Sequence, residues 1–209
     1  VSHARDFSLH VITDTSIQKR FSHEDLALLA CAGGADVIQL RDKQLSDNDL
    51  LAVARRVRAI CERYGVVMIM NDRVDVARAC GIGVHVGRDD TPIADARRAL
   101  GAEACIGTTA SSPDEVRAAQ AAGADYAGFG HVFATSSKQK SGPPLGLDAV
   151  RAATAGAGIP LIAIGGINAT NARDVIRAGA WGVAVIGAVV KSDNPEAATR
   201  ALRAAIDGA

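Results

Sequence analysis

Val37-Ile38-Gln39-Leu40-Arg41-Asp42-Lys43 is an apolar run that stops abruptly in a charged loop. The pattern returns where Val66-Val67-Met68-Ile69-Met70 meets Asn71-Asp72-Arg73, and again where Val84-His85-Val86 meets Gly87-Arg88-Asp89-Asp90. A continuous hydrophobic run marks a parallel strand buried on both faces. Its polar C-terminal end opens onto whatever lies above the sheet. Carboxylates, an arginine, a lysine and an amide at three such ends describe a place for a phosphorylated ligand and a divalent metal.

A weak internal repeat extends the pattern. Ala32-Gly33-Gly34-Ala35-Asp36-Val37-Ile38, Ala122-Gly123-Ala124-Asp125-Tyr126 and Ala178-Gly179-Ala180-Trp181-Gly182-Val183-Ala184-Val185 each follow an alanine-rich helical segment with a glycine stop and then an apolar strand. Helix, glycine cap and strand in repetition argue for parallel strands joined by crossover helices. Eight strands are expected, near residues 9–13, 36–40, 66–70, 83–86, 104–107, 126–130, 161–164 and 183–186. Between them, 47–63 carries Leu50, Leu51, Val53, Ala54, Val57 and Ile60 as a helical stripe. Ser112-Pro113-Asp114-Glu115 opens a helix with a cap, a first-turn proline and two acids. Residues 168–178 and 195–206 read as alanine-rich helices.

The fold expected is a (β/α)8 TIM barrel, an α/β single domain over residues 1–209, for which this length suffices. An open doubly wound sheet is the other arrangement of such units, but no GxGxxG follows the first strand. With 48% hydrophobic but only 3% aromatic residues, the core is built of Ala, Val, Ile and Leu. Lys+Arg and Asp+Glu are both 23, so no global charge draws the chain to nucleic acid or an anionic membrane. Cys31, Cys61, Cys80 and Cys105 lack metal-ligand spacing and read as buried thiols in a reducing compartment. No span approaches the roughly 20 apolar residues of a membrane helix. The first residues lack the layout of a signal peptide, so a soluble, cytoplasmic protein is expected, with a homo-oligomer possible.

Barrel enzymes keep their chemistry at the C-terminal strand ends. The candidates are Gln39, Arg41 and Lys43 after strand 2, Asn71 and Asp72 after strand 3, and Asp89 and Asp90 after strand 4. Thr108 and Thr109 end strand 5, and His131 follows strand 6. Gly165-Gly166 and Ile186-Gly187 end strands 7 and 8, where backbone amides can approach a phosphate; a plain tight turn is the other reading. Arg41 and Lys43 are either inward cations or ordinary surface charges. Asp72 and Asp90 suit Mg²⁺, or else salt bridges to Arg73 and Arg88. Asp14 and Asp36 look structural. Residues 134–141, with Lys138 and Lys140, are either a lid over the mouth or a simple connection. His3 and His23 are expected to be exposed, His10 and His85 to sit in strands, and His131 alone to invite an acid–base role.

Together, Gln39-Leu-Arg-Asp-Lys43, Asn71-Asp-Arg-Val-Asp75, Gly83-Val-His-Val-Gly87 with Asp90, Thr135-Ser-Ser-Lys138 and Ala163-Ile-Gly-Gly-Ile167 resemble the thiamine phosphate synthase family, from about Leu9 to Ala205. The resemblance implies a barrel that couples hydroxymethylpyrimidine diphosphate to thiazole phosphate with Mg²⁺ and releases diphosphate. By that analogy Arg41, Lys43, Asn71 and Lys138 hold the diphosphate, and Asp72 and Asp90 hold the metal. Gln39 and Thr109 would contact the pyrimidine, Thr135 and Ser137 the phosphates and loop, and Gly166, Ile186 and Gly187 the thiazole phosphate. Diphosphate departure and capture of the resulting cation need positioning and charge, which accords with the lack of a nucleophile–base pair.

Some positions depart from the family pattern. Thr109 stands for a usual serine, Ser137 for threonine, Arg88 for glutamine, Gly187 for serine and His131 for proline. Gly-His-Val-Phe around His131 resembles the related thiazole tautomerase branch, which implies metal-free proton transfer by that histidine. The full charged set favours the synthase, because buried charge without a charged ligand is costly. A non-catalytic phosphate-binding barrel is the third alternative.

Overall fold

The computed structural model describes residues 7–135 and 142–209. Eight parallel strands close into a barrel in sequence order: β1 (Leu9–Thr13), β2 (Val37–Leu40), β3 (Val67–Asn71), β4 (Gly83–Val86), β5 (Ile106–Ala110), β6 (Tyr126–Gly130), β7 (Leu161–Ile164) and β8 (Gly182–Val185). β8 pairs back onto β1, aligning Leu9 with Val183 and Val11 with Val185. The connecting helices are α1 (His23–Ala32), α2 (Asp47–Tyr64), α3 (Val74–Cys80), α4 (Ile93–Leu100), α5 (Pro113–Ala121), α6 (Gly146–Thr154) and α7 (Ala172–Arg177). α8 (Gly187–Val190) and α9 (Pro195–Asp207) follow the last strand. This is the expected barrel.

The helices start and pack for local reasons. In α2, the Ser46 hydroxyl accepts from the Asp49 N–H at 3.2 Å, and Leu50, Ala54, Val57 and Cys61 form the buried stripe. Burying one leucine such as Leu50 is worth about 2 kcal/mol. α5 opens as expected, with Ser112 accepting from the Glu115 N–H and Pro113 in the first turn. Asp36 has the structural role expected of it. Its Oδ2 accepts from the N–H groups of Ser8 (2.9 Å) and Leu9 (2.8 Å) and from Arg203 Nη1 (2.9 Å), tying β1, β2 and α9 at the barrel's N-terminal end.

Strand alternation places Tyr126, Gly128 and Gly130 on one side of β6, facing the interior. Tyr126 reaches across to β5, where a Cβ on Gly107 would be driven into its ring. Below, the rings of Phe7, His10 and Tyr126 stack edge to face at 4.4 to 5.5 Å and fill the barrel floor. His10 Nε2–H donates to the Phe7 carbonyl at 3.0 Å. Burial lowers the His10 pKa from 6.5 to about 3, helped by His85 and opposed by the Phe7 carbonyl. The unfolded chain therefore takes up a proton that the folded chain refuses. The stability held above pH 6.5 is lost as pH falls toward about 3. His10→Leu should flatten the acid limb of urea-unfolding stability between about pH 6 and pH 4; an unaltered slope would refute this.

Several boundaries differ from expectation, β2 and β3 by a single residue, as β2 begins at Val37 and β3 spans Val67–Asn71. β5 runs from Ile106 to Ala110 rather than 104–107, so Thr108 and Thr109 lie within it. β8 starts and ends one residue early, and Ile186 becomes the residue before α8. α7 begins at Ala172 rather than Asn168, because the Asn168 side chain accepts from the Thr170 N–H (2.8 Å) and hydroxyl (2.7 Å) and holds a turn. His23, expected exposed, is buried.

Candidate active site

Inside the barrel a polar chain crosses from β2 to β5. Gln39, buried near the end of β2, lies beside the Tyr126 hydroxyl and favours its ionised form. That hydroxyl meets His85 Nδ1 at 3.0 Å, and His85 Nε2 meets the Thr109 hydroxyl at 3.1 Å. Burial holds the Tyr126 phenol well above its usual range, so that hydroxyl stays protonated at neutral pH.

At the rim, β3 ends in Asn71, and Asp72 takes a left-handed backbone with φ 64°. The turn is held by the Asp72 N–H on the His85 carbonyl and the Arg73 N–H on the Asn71 carbonyl, both at 2.8 Å. Lys43 Nζ lies 3.4 Å from Asp72 Oδ2. Across from it, Asp90 Oδ2 accepts from the Gly87 N–H at 2.8 Å. Burial and then the hydrogen bond and charge of Asp90 raise the Asp72 pKa, with Lys43 opposing. Two carboxyl groups facing each other in this way are short of positive charge. Their oxygen-only donor set suits a hard cation that completes its shell with water and phosphate oxygens. Among the described residues, no cluster of three or more His, Cys, Asp or Glu side chains could hold a metal by itself. The alternative ion pairs for Asp72 and Asp90 do not form: Arg73 pairs with Asp47, and Arg88 lies 3.3 Å from Glu115.

Two cavities adjoin at the C-terminal mouth. The inner one, about 280 Å³, descends to His10 and Tyr126 and is lined by Gln39, Thr135, Gly165, Gly166, Ile186 and Gly187. The outer one, about 660 Å³, is lined by Lys43, Asn71, Asp72, Asp90 and Arg88. His85, Thr109 and His131 line both.

Most of the sequence-derived residues thus meet at one mouth. Arg41 lines neither cavity: its guanidinium pairs with Asp14, which is buried, and its Nε is buried without a partner among the described residues. Asp14 is accordingly more than a turn residue. Ser137 and Lys138 lie outside the described residues, as does most of the expected lid. Tyr126, Asn168 and Lys191 line the inner cavity and were missed by sequence reasoning, and His85, hydrogen-bonded within β4 as expected, also lies in the wall between the cavities. An aromatic followed by glycines at every second residue, Tyr126-Gly128-Gly130, was the available signal for an inward tyrosine beneath open space. Lys191 follows a four-residue helix and gave no periodic signal.

A closed parallel barrel with its polar cavities at the C-terminal strand ends defines the (β/α)8 class in which enzymes keep their catalytic face. The family model for thiamine monophosphate synthase matches residues 9–189, and the chain belongs to that family. It is 49% identical over 198 residues to the thiamine-phosphate synthase of Methanoculleus marisnigri, covering 94% of each chain. It is 45% identical over 207 residues to that of Chloroflexus aurantiacus, covering 99% of this chain and 95% of the relative. Among solved structures, thiamine phosphate pyrophosphorylase from Pyrococcus furiosus superposes with a TM-score of 0.90 at 33% identity, covering 98% of both chains. No helix of the described residues is long and apolar enough to cross a membrane.

Proposed function

We propose that this chain is a thiamine phosphate synthase, a transferase that joins hydroxymethylpyrimidine diphosphate to thiazole phosphate and releases diphosphate. The observation that carries the reading is the pair of unlike cavities meeting at His85, Thr109 and His131. The outer one has the chemistry of a diphosphate and its cation. The inner one has glycine backbone, Lys191 and a hydrogen-bonding wall, the chemistry of a phosphomonoester and a heterocycle.

Lys43 and Asn71 would donate to the diphosphate oxygens, with Lys138 added from the loop beyond β6. Arg41 would contribute positive charge from behind, steadied by Asp14. Asp72 and Asp90 would hold Mg²⁺, which when bound neutralises charge building on the leaving diphosphate. Gln39 and Thr109 would orient the pyrimidine along the Tyr126–His85 chain. Gly166, Ile186 and Gly187, with Thr135 and Ser137 from the segment beyond β6, would seat the thiazole phosphate through backbone amides and hydroxyls. Holding the exocyclic carbon of one ring against the nitrogen of the other is the main task, and it requires no protein nucleophile. Phosphorylated small molecules are the partners this suits, in a cytoplasmic setting that accords with the free thiols.

His131 supports a second reading, because a buried imidazole lining both cavities could move a proton on a thiazole ring. One assay separates the two. Protein, both substrates and Mg²⁺ should yield thiamine phosphate, and a chelator should abolish it. No coupled product, with isomerisation of the thiazole tautomer lost in His131→Ala, would favour the tautomerase. Tight binding of thiazole phosphate without turnover would favour a non-catalytic barrel.

A further inference from the structure

The loop that carries Arg41 and Lys43 is pinned by a buried pair that no charge argument about the mouth requires. Asp42 lies between the two cations and turns the other way. Its Oδ1 accepts from the N–H groups of Gln44 (2.7 Å) and Leu45 (2.9 Å), folding the chain toward α2. Its Oδ2 accepts from His23 Nε2 at 3.1 Å and from the Thr15 hydroxyl at 3.3 Å. The His23 and Asp42 side chains are only 4% and 10% exposed. On the far side of the ring, the Thr13 hydroxyl lies 2.8 Å from His23 Nδ1. One neutral tautomer satisfies every partner: Nε2–H donates to Asp42 and the Thr13 hydroxyl donates to Nδ1.

We propose that His23 and Asp42 are positioning residues that fix the loop after β2 so that Lys43 is aimed at the mouth while Arg41 is held behind it on Asp14. Thr13 ends β1 and Asp14 follows it, so the Asp14–Arg41 pair and the Thr13–His23–Asp42 chain are two stitches between the same pair of loops. One holds the cation by its head, and the other holds the backbone behind it. His23 is the first residue of α1, whose start is locked by a reciprocal cap between Ser22 and Asp25. The anchor is therefore a helix rather than another loop. Lys43, whose side chain is 60% exposed and reaches Asp72 at 3.4 Å, depends most on that backbone, since a long exposed side chain is directed mainly by its root.

The inference rests on the outer cavity binding diphosphate, and its test can be read without turnover. Inorganic diphosphate with Mg²⁺ is titrated calorimetrically into wild type, His23→Ala, Asp42→Ala, Asp42→Asn and the double alanine variant. Steady-state KM values for both substrates are measured alongside. Each alanine variant should weaken diphosphate binding about tenfold, with the thiazole phosphate KM changed by less than about twofold. The double variant should be no worse than the worse single one, because both members act as a unit. Asp42→Asn, which keeps acceptors for Gln44 and Leu45, should fall between, and it carries the comparison if an alanine variant does not fold. Equal losses for both substrates, or additive losses in the double variant, would show ordinary structural residues and overturn the proposal. Absence of coupled product in wild type would instead strike the functional reading, while the diphosphate titration still decides the clamp.

Discussion

Asp72→Asn should lower turnover by about 100-fold or more and shift the Mg²⁺ requirement upward, with a far smaller change in the thiazole phosphate KM. The substitution is chosen for its backbone as well as its charge. Asp72 sits at φ 64°, and asparagine tolerates that left-handed region where alanine would add strain. The Lys43 contact weakens, and Asp90 is left as the only acid of the pair. If carboxylate charge at this point holds the cation, more Mg²⁺ should recover part of the lost rate. Steady-state coupling rates over a Mg²⁺ series are the measurement, and an activity indifferent to metal concentration would remove Asp72 from the metal site.

Gly166→Ala should raise the thiazole phosphate KM by about tenfold or more while leaving diphosphate binding close to wild type. Gly166 has φ +66°, and an added Cβ would lie 2.7 Å from Phe133 Cβ and close against the Ala134 carbonyl oxygen. The end of β7 would have to retreat from the segment after β6. That displaces the backbone lining the inner cavity at the place where amides would meet the phosphate. Product-inhibition and KM measurements for each substrate test this, and comparable losses at both ends would place the damage in the barrel as a whole.

The architecture was legible because its signals are local and repeated. Each apolar run with a polar end, and each alanine-rich segment stopped by glycine, names one strand or helix without knowledge of the rest. The rim was legible for the same reason, since Lys43, Asn71, Asp72 and Asp90 stand directly after such runs. Partnerships between distant segments were not. Nothing around His23 announces that the first turn of α1 lies against Asp42, so a polar residue at a helix start read as exposed. Arg41 looked like a cation pointing at ligand, whereas its nearest acid, Asp14, comes from a neighbouring loop distant in sequence. Boundaries slipped where side chains compete with the backbone, as Asn168 does before α7. The roles suggested for Ser137 and Lys138 rest on their motif.

The ring stack of Phe7, His10 and Tyr126 has a kinetic corollary. With its base filled, the inner cavity is approached among the described residues from the C-terminal mouth, beside the outer one. The substrate that lodges deeper is therefore expected to arrive first and leave last; inhibition patterns for the two substrates test that order, and a random pattern would overturn it.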